Sequence, residues 1–296
     1  MPDAAATLLD ALLAEFVNRE DEVKSFIRLL EDGTRSVLVI WGDGGVGKTS
    51  LQAKMKHELA QRKLRKAEVV WNETYTYDYL AIMRKLRDDC GVDHFKAFTD
   101  LANYFTVPEY NLNINLQGGG VSVLQGAQLE GTQVRDITGI VIKDLMLDRP
   151  RSDKDVPENE RVMRLTDAFI PGLAAATENE TFVVFMDAAE KITDKTRSWI
   201  WDGLLTHARD GRLPGLKFVI CGRVDPKPDS TFKRTCQVRQ LQPLKLEHIE
   251  AYLEKRGIKQ GPDFAKMLLA VSKGNILELS NHVDAYLNLL DADRDR

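Results

Sequence analysis

The stretch that decides the fold is Gly42-Asp43-Gly44-Gly45-Val46-Gly47-Lys48-Thr49, which follows directly on an apolar run, Ser36 to Trp41. A strand, a glycine-rich turn and a helix beginning at Lys48 together present backbone N–H groups at a helix N-terminus, which suits a polyphosphate. The glycines permit positive φ and let phosphate oxygens approach the backbone. In this motif Lys48 would reach the β- and γ-phosphates, and the Thr49 hydroxyl would hold Mg²⁺. A turn that holds nothing would leave the Lys-Thr pair unexplained.

Five short apolar runs alternate with helical patterns along the chain, at residues 36–41, 67–71, 181–186, 216–220 and 238–241. Strands that alternate with helices indicate a mostly parallel sheet with helices on both faces. We therefore predict an α/β fold, a three-layer P-loop NTPase domain with a five-stranded sheet over residues 35–243. Two helices are expected before it, within residues 1–34, and a small helical subdomain after it, over residues 244–296.

Residues 111–142 interrupt the alternation of strands and helices, because apolar residues there alternate with polar ones between glycine-rich turns. Such a pattern predicts inserted β-hairpins. Two interpretations stay open: a small sheet that covers an edge of the main one, or an arm for self-assembly or partner binding. The polar segment 148–159, with two prolines, is expected to be a linker.

Composition and charge narrow the function classes. The 296 residues carry a net charge of -4, which argues against general binding of polyanions, and the local basic runs at 62–66 and 84–87 are interpreted as solvated faces. No segment has the apolar length that crosses a bilayer, and no basic N-terminal leader is visible. The three cysteines lack metal-ligand spacing. We expect a cytoplasmic protein with reduced thiols.

Two acids and an arginine follow the later strands. Asp187 ends the apolar run 181–186, so in a parallel sheet it would emerge beside the phosphate loop and hold Mg²⁺. A helix N-cap is the alternative role for Asp187. Glu190, three residues on, would orient a water for attack on the γ-phosphate, or else be a surface acid. Arg223, at the tip of the next strand, would contact the γ-phosphate, or else be an ordinary exposed arginine.

Taken in order, these segments resemble the STAND class of P-loop ATPases, which includes the NB-ARC and NACHT modules of innate-immune receptors and bacterial antiviral sensors. The resemblance rests on Phe16-Val-Asn-Arg19-Glu20, Gly42 to Ser50, Val69-Val-Trp71, the run to Asp187 with Glu190, and Cys221-Gly-Arg223. Later segments that agree are Leu241-Gln-Pro243-Leu244, His248-Ile-Glu-Ala-Tyr-Leu253 and Lys273-Gly274-Asn275-Ile276-Leu277.

The resemblance implies ATP or ADP and Mg²⁺ as ligands, and it assigns roles to further residues. Asn18 and Arg19 match the segment near the adenine, and Arg223 matches the first sensor position. Gly274-Asn275-Ile276 stands where the class has Gly-x-Pro, so its proline is missing. The Asp-Glu pair of hydrolytic relatives is absent, because Ala188 follows Asp187. The resemblance thus implies nucleotide binding by a set that we list here: Asn18, Arg19, Gly42, Asp43, Gly44, Gly45, Val46, Gly47, Lys48, Thr49, Ser50 and Pro243.

Three hypotheses for the function compete, and the resemblance favours the first. The first is a slowly hydrolysing ATPase switch that assembles or engages partner proteins, with a role in prokaryotic defence. The alternatives are a scaffold that binds nucleotide without hydrolysing it, and an AAA+-like motor or loader on DNA or protein. In the STAND class, the helical subdomain is usually followed by a winged-helix domain and a sensor built of repeats. We expect partner chains, or further parts of a longer protein, to supply sensing and output, with no membrane contact and with nucleic acid not favoured.

Overall fold

The computed structural model describes residue 13 and residues 16–71, 77–106 and 156–294. Its centre is a sheet of five parallel strands in the order β2-β3-β4-β1-β5. The bounds are β1 Val37–Trp41, β2 Arg65–Val70, β3 Phe182–Asp187, β4 Leu216–Gly222 and β5 Cys236–Gln240. The predicted five-stranded α/β fold is confirmed, and the sheet is parallel throughout. The predicted hairpins at 111–142 lie outside the described residues, as does most of the first N-terminal helix.

Ten α-helices surround the sheet within the described part of the chain: α1 Glu20–Glu31, α2 Lys48–Gln61, α3 Tyr79–Cys90, α4 Lys96–Thr106, α5 Glu158–Ala176, α6 Asp194–Ser198, α7 Leu205–Arg209, α8 Leu246–Lys255, α9 Pro262–Ser272 and α10 Ile276–Arg294. A π-helical turn, Trp199–Leu204, joins α6 to α7. None of the helices among the described residues is long and apolar enough to cross a membrane.

Both faces of the sheet are covered, as the side chains of β3 show. Phe182, Val184 and Met186 point into a core formed with α3, α4 and α5, while Val183 and Phe185 point into a second core formed with α1 and α2. Alternate residues of a strand face opposite sides, so a strand that is apolar at every position requires two cores. The result is the three-layer arrangement.

A buried lysine in β4 links the sheet to the segment that follows α1. Lys217, in β4, is 4% exposed, and its Nζ donates to the carbonyl oxygens of Asp32 (2.6 Å) and Arg35 (2.7 Å), just after α1 ends. Burial lowers the pKa of Lys217. The positive charge lies at the C-terminal end of a helix, where the helix dipole favours a cation.

The last three helices, α8 to α10, form a third core of their own, which includes Tyr252, Leu268, Leu279 and Val283. Val17, from the segment before α1, also packs into this core. The N-terminal segment therefore connects the helical subdomain with the sheet domain.

Candidate functional site

The carboxyl ends of parallel strands lie at one edge of a sheet, and here three of them carry the predicted site residues. The phosphate loop follows β1, Asp187 is the last residue of β3, and Arg223 comes directly after β4. β4 lies between β1 and β3 in the sheet, so the three segments are neighbours.

A cavity of about 440 Å³ opens at this edge. Its walls include most of the predicted residues: Arg19, Gly44, Gly45, Val46, Gly47, Lys48, Thr49, Ser50, Asp187, Glu190 and Arg223. Four predicted residues, Asn18, Gly42, Asp43 and Pro243, do not line it. The carbonyls of Gly42 and Asp43 instead accept hydrogen bonds from Lys48 Nζ, each at 2.7 Å.

The glycines of the phosphate loop are required by its shape. Gly45 and Gly47 have φ of 78° and 97°, values that residues with a side chain rarely adopt. A Cβ at Gly42 would lie 2.8 Å from the carbonyl oxygen of Leu241. The loop therefore keeps its backbone close to its neighbours, as a phosphate cradle must.

Lys48 lies at the first position of α2 and is partly buried. Burial lowers its pKa, while the nearby Glu190 carboxylate raises it and Arg223 lowers it. The two carbonyls supply hydrogen bonds but no full negative charge. An anion bound in the loop would supply that charge, so the site favours polyphosphate.

Glu190 and Arg223, which sequence analysis assigned separately, contact each other. Ala188 has φ of 56°, which turns the chain after β3 into the 3₁₀ turn Ala189–Lys191. This turn brings the Glu190 carboxylate over the end of β4, where it accepts from the Arg223 N–H at 3.1 Å and pairs with Arg223 Nε at 3.2 Å. Because the Arg223 side chain is 63% exposed, this ion pair is weak and open to exchange.

Asp187 is half-buried, and its Oδ1 accepts a hydrogen bond from the Ala188 N–H at 2.8 Å. Arg223 lies close to the phosphate loop, with its guanidinium carbon 3.6 Å from the point that a Cβ on Gly44 would occupy. Acid, arginine and phosphate loop therefore converge on one volume.

Arg19 is 6% exposed and joins two parts of the site. Its Nη2 donates to the carbonyl of Val46 in the phosphate loop (3.0 Å) and to that of Gln242, which leads into the helical subdomain (2.8 Å). Burial lowers the pKa of Arg19, while Glu22 and Glu20 raise it. A buried guanidinium requires such partners, so Arg19 is a connector that also borders the cavity.

Asn18 was expected near the nucleotide base but faces the helical subdomain. Its φ is 49°, and its Nδ2 lies 2.9 Å from His248 Nδ1 in α8. The same His248 nitrogen accepts from the Lys245 N–H at 3.0 Å, and burial lowers the pKa of His248. Pro243 packs against Gly274 rather than lining the cavity.

Sequence reasoning missed an apolar wall of the cavity, formed by Phe16, Val17, Leu244, Tyr252 and Ile276. Such a wall suits the flat face of a nucleotide base. Ile276 takes the place of the missing proline of the Gly-x-Pro segment. The signal was present in part, because all five residues lie in segments that carry the family resemblance.

No group of three or more His, Cys, Asp or Glu placed to hold a metal occurs among the described residues. Mg²⁺ does not require one, since it binds through one or two protein ligands together with phosphate oxygens and water. Thr49 and Asp187 both line the cavity and offer the hard oxygen ligands that Mg²⁺ prefers.

The parallel sheet, the phosphate loop and the acid that ends β3 define a P-loop nucleoside triphosphatase. The profile of the family described as "AAA ATPase domain" matches residues 15–219, well over half of the chain. The chain belongs to this AAA ATPase domain family.

Solved structures similar to the chain include a STAND protein with a tetratricopeptide repeat sensor from Pyrococcus horikoshii. It is 18% identical, with a TM-score of 0.49 over 89% of this chain and 29% of that one. AMPPCP-bound DnaA from Aquifex aeolicus is 12% identical, with a TM-score of 0.46 over 91% and 62%. The chain thus spans less than two thirds of either. No curated protein matches the sequence.

Proposed function

We propose that this chain is an ATP-binding, slowly hydrolysing switch of the STAND type. One observation carries the proposal: the phosphate loop and the helical subdomain line the same cavity, the first with Lys48 and the second with Tyr252 and Ile276. A nucleotide in this cavity touches both parts. Its binding free energy therefore depends on how they are arranged, which is the physical requirement for a ligand to shift a conformational equilibrium.

The loop residues fit a nucleoside triphosphate with its metal. Lys48 would neutralise charge on the phosphates, and the loop N–H groups would bind their oxygens. Thr49 and Asp187 would hold Mg²⁺, which supplies further neutralisation of the β- and γ-oxygens. Glu190 would orient the attacking water and take up its proton.

The contact between Glu190 and Arg223 offers a way to distinguish ATP from ADP. Both side chains line the cavity, and each is the other's partner at about 3 Å. A γ-phosphate would compete with Glu190 for the guanidinium, since phosphate oxygens are strong charged acceptors. Binding of ATP would then free Glu190 for the water, whereas ADP would leave the pair intact.

Slow hydrolysis fits this arrangement. The residue after Asp187 is Ala188, which has no carboxylate. The general base would therefore be Glu190, three residues after Asp187. A slow reaction leaves the ATP state long-lived, and other copies of the chain or partner proteins could then respond to it. A role in prokaryotic defence rests on the STAND resemblance alone, and a cytoplasmic location rests on the lack of a bilayer-length apolar segment in the sequence; both are part of the proposal.

Replacement of Glu190 by Gln tests the catalytic assignment. Gln keeps the size of the side chain and its acceptor for the Arg223 N–H, but it cannot act as a base. We expect the Mg²⁺-dependent ATPase rate to fall by about a hundredfold or more, with ADP affinity nearly unchanged by calorimetry. Glu178→Gln, an exposed acid after α5, is the matched control.

The outcomes separate the alternatives. If the Gln variant hydrolyses ATP as fast as the parent chain, Glu190 is not the base. If the parent binds ATP but releases no phosphate, the non-hydrolysing scaffold is the better description.

A further inference from the structure

The first turn of α10 lies directly on the phosphate loop. Asn275, just before the helix, donates from Nδ2 to the carbonyl of Gly44 at 2.8 Å. The backbone N–H of Leu277 donates to the carbonyl of Gly45 at 3.2 Å. The helical subdomain therefore holds two consecutive carbonyls of the loop.

Asn275 also caps α10. Its Oδ1 accepts from the N–H groups of Leu277 (3.0 Å) and Glu278 (3.3 Å), which are two of the donors that a helix N-terminus leaves unpaired. With the oxygen turned to the helix, the amide nitrogen can only face Gly44. The side chain thus links the helix start to the loop through both of its polar atoms.

The contact is so close that it requires glycine on the loop side. A Cβ on Gly45 would lie 2.3 Å from Asn275 Oδ1 and 2.7 Å from its Nδ2. Real Cβ atoms do not approach other atoms so closely. The glycine at position 45 therefore serves the approach of the helical subdomain as well as the shape of the loop.

Peptide geometry connects this contact with phosphate binding. The described peptide bonds are all trans, so the C=O and N–H of each peptide point in opposite directions. Gly44 O and Gly45 O face the helical subdomain, hence the N–H groups of Gly45 and Val46 point away from it. Arg19 fixes the next peptide in the same way through Val46 O.

Five consecutive loop carbonyls are held in total, because Lys48 binds those of Gly42 and Asp43. The carbonyls of Gly44 and Gly45 are held by hydrogen bonds from the helical subdomain. A hydrogen bond to a carbonyl also polarises the N–H of the same peptide and makes it a better donor. Docking of α10 therefore both orients and strengthens the N–H groups of the cradle.

We propose that Asn275 is a positioning residue for the phosphate loop, through which docking of the helical subdomain and binding of phosphate stabilise each other. This rests on the proposed function, in which the loop binds a nucleotide. Thermodynamic linkage makes the effect reciprocal: α10 strengthens nucleotide binding, and bound nucleotide holds α10 in place.

Replacing Asn275 by Ser separates the two roles of the side chain. Ser is a good N-cap and keeps the acceptor for α10, but it is too short to reach Gly44. Asn275→Asp is the second variant, because Asp also caps the helix while its carboxylate repels the Gly44 carbonyl. Asn281→Ser makes the same change at an exposed position of α10 and is the control.

Two measurements are made on the full chain: ADP affinity by calorimetry, and hydrogen exchange at the loop and at the first turn of α10, with and without ADP. We expect Asn275→Ser to weaken ADP binding by about fivefold, the equivalent of one hydrogen bond, and Asn275→Asp to weaken it more. ADP should slow exchange in the first turn of α10 in the parent and in Asn281→Ser, and much less in the Asn275 variants.

Parent-like ADP affinity in both Asn275 variants would overturn the proposal, as would parent-like slowing of exchange. Faster exchange of α10 in the Ser variant without any change in affinity would reduce Asn275 to a helix cap. If the parent chain itself fails to bind ADP, it is the proposed function that fails. In that case the exchange of the loop without nucleotide still reports whether Asn275 holds it.

Discussion

At the residue scale, the Lys48 side chain is hydrogen-bonded within the phosphate loop. Its amine is held by two neutral carbonyls at 2.7 Å, in a place where burial lowers its pKa. Phosphate oxygens would offer the same hydrogen bonds with a negative charge added. The motif made this residue predictable, because the spacing of glycine, lysine and threonine is a local property of the chain.

Replacement of Lys48 by Ala should abolish detectable nucleotide binding, since the loop then lacks its only cation within the motif. Stability should change little, because the side chain is only partly buried. Calorimetric titration with ATP measures nucleotide affinity, and thermal unfolding measures stability. The exposed Lys233→Ala is the control. Micromolar affinity in the Lys48 variant would contradict the assigned role.

Other residues of the site could be predicted only in part. Asp187 and Arg223 stand at strand ends, so the parallel sheet alone places them at one edge. The contact of Glu190 with Arg223 depends on the positive φ of Ala188, which the sequence does not reveal, since alanine rarely adopts it. The contact of Asn18 with His248 was not predictable, because the two residues lie 230 positions apart along the chain.

At the scale of elements, the strands were the most predictable part. The three inner strands β1, β3 and β4 are short and mostly apolar, whereas the edge strands β2 and β5 carry several polar residues. Each predicted run nevertheless overlaps an observed strand. Helix α4 and the π-helical turn were not predicted. The π turn in particular has no pattern of its own, because the residues around it keep an ordinary helical spacing of apolar positions.

Lys217 is an exception within the apolar β4, and it predicts a stability effect. Lys217→Met keeps the length of the side chain but leaves the carbonyls of Asp32 and Arg35 without their donor. We expect a loss of about 1–3 kcal/mol in the free energy of unfolding, measured by urea denaturation.

The exposed Lys233→Met provides the comparison for this measurement. The two variants should differ in their urea midpoints, with Lys217→Met the less stable. Equal midpoints would show that the link between α1 and β4 contributes nothing to stability.

At the scale of the whole molecule, the sheet domain and the helical subdomain meet at the phosphate loop. Asn275 and Leu277 donate hydrogen bonds to the loop from the helical subdomain, and Arg19 donates both to the loop and to Gln242. The family resemblance placed Arg19 and Gly44 in one nucleotide-binding set, but the hydrogen bonds of Arg19 and Asn275 to the loop carbonyls were not predictable from the sequence. A ligand in the loop therefore acts on the contact between the two parts.

The most direct test of the switch is hydrogen exchange in α8 to α10 of the parent chain. It is measured with saturating ADP and with a saturating non-hydrolysable ATP analogue, both with Mg²⁺. The account predicts that the analogue changes exchange in these helices relative to ADP, because only the γ-phosphate can draw Arg223 away from Glu190. Identical exchange with the two bound nucleotides would contradict the account.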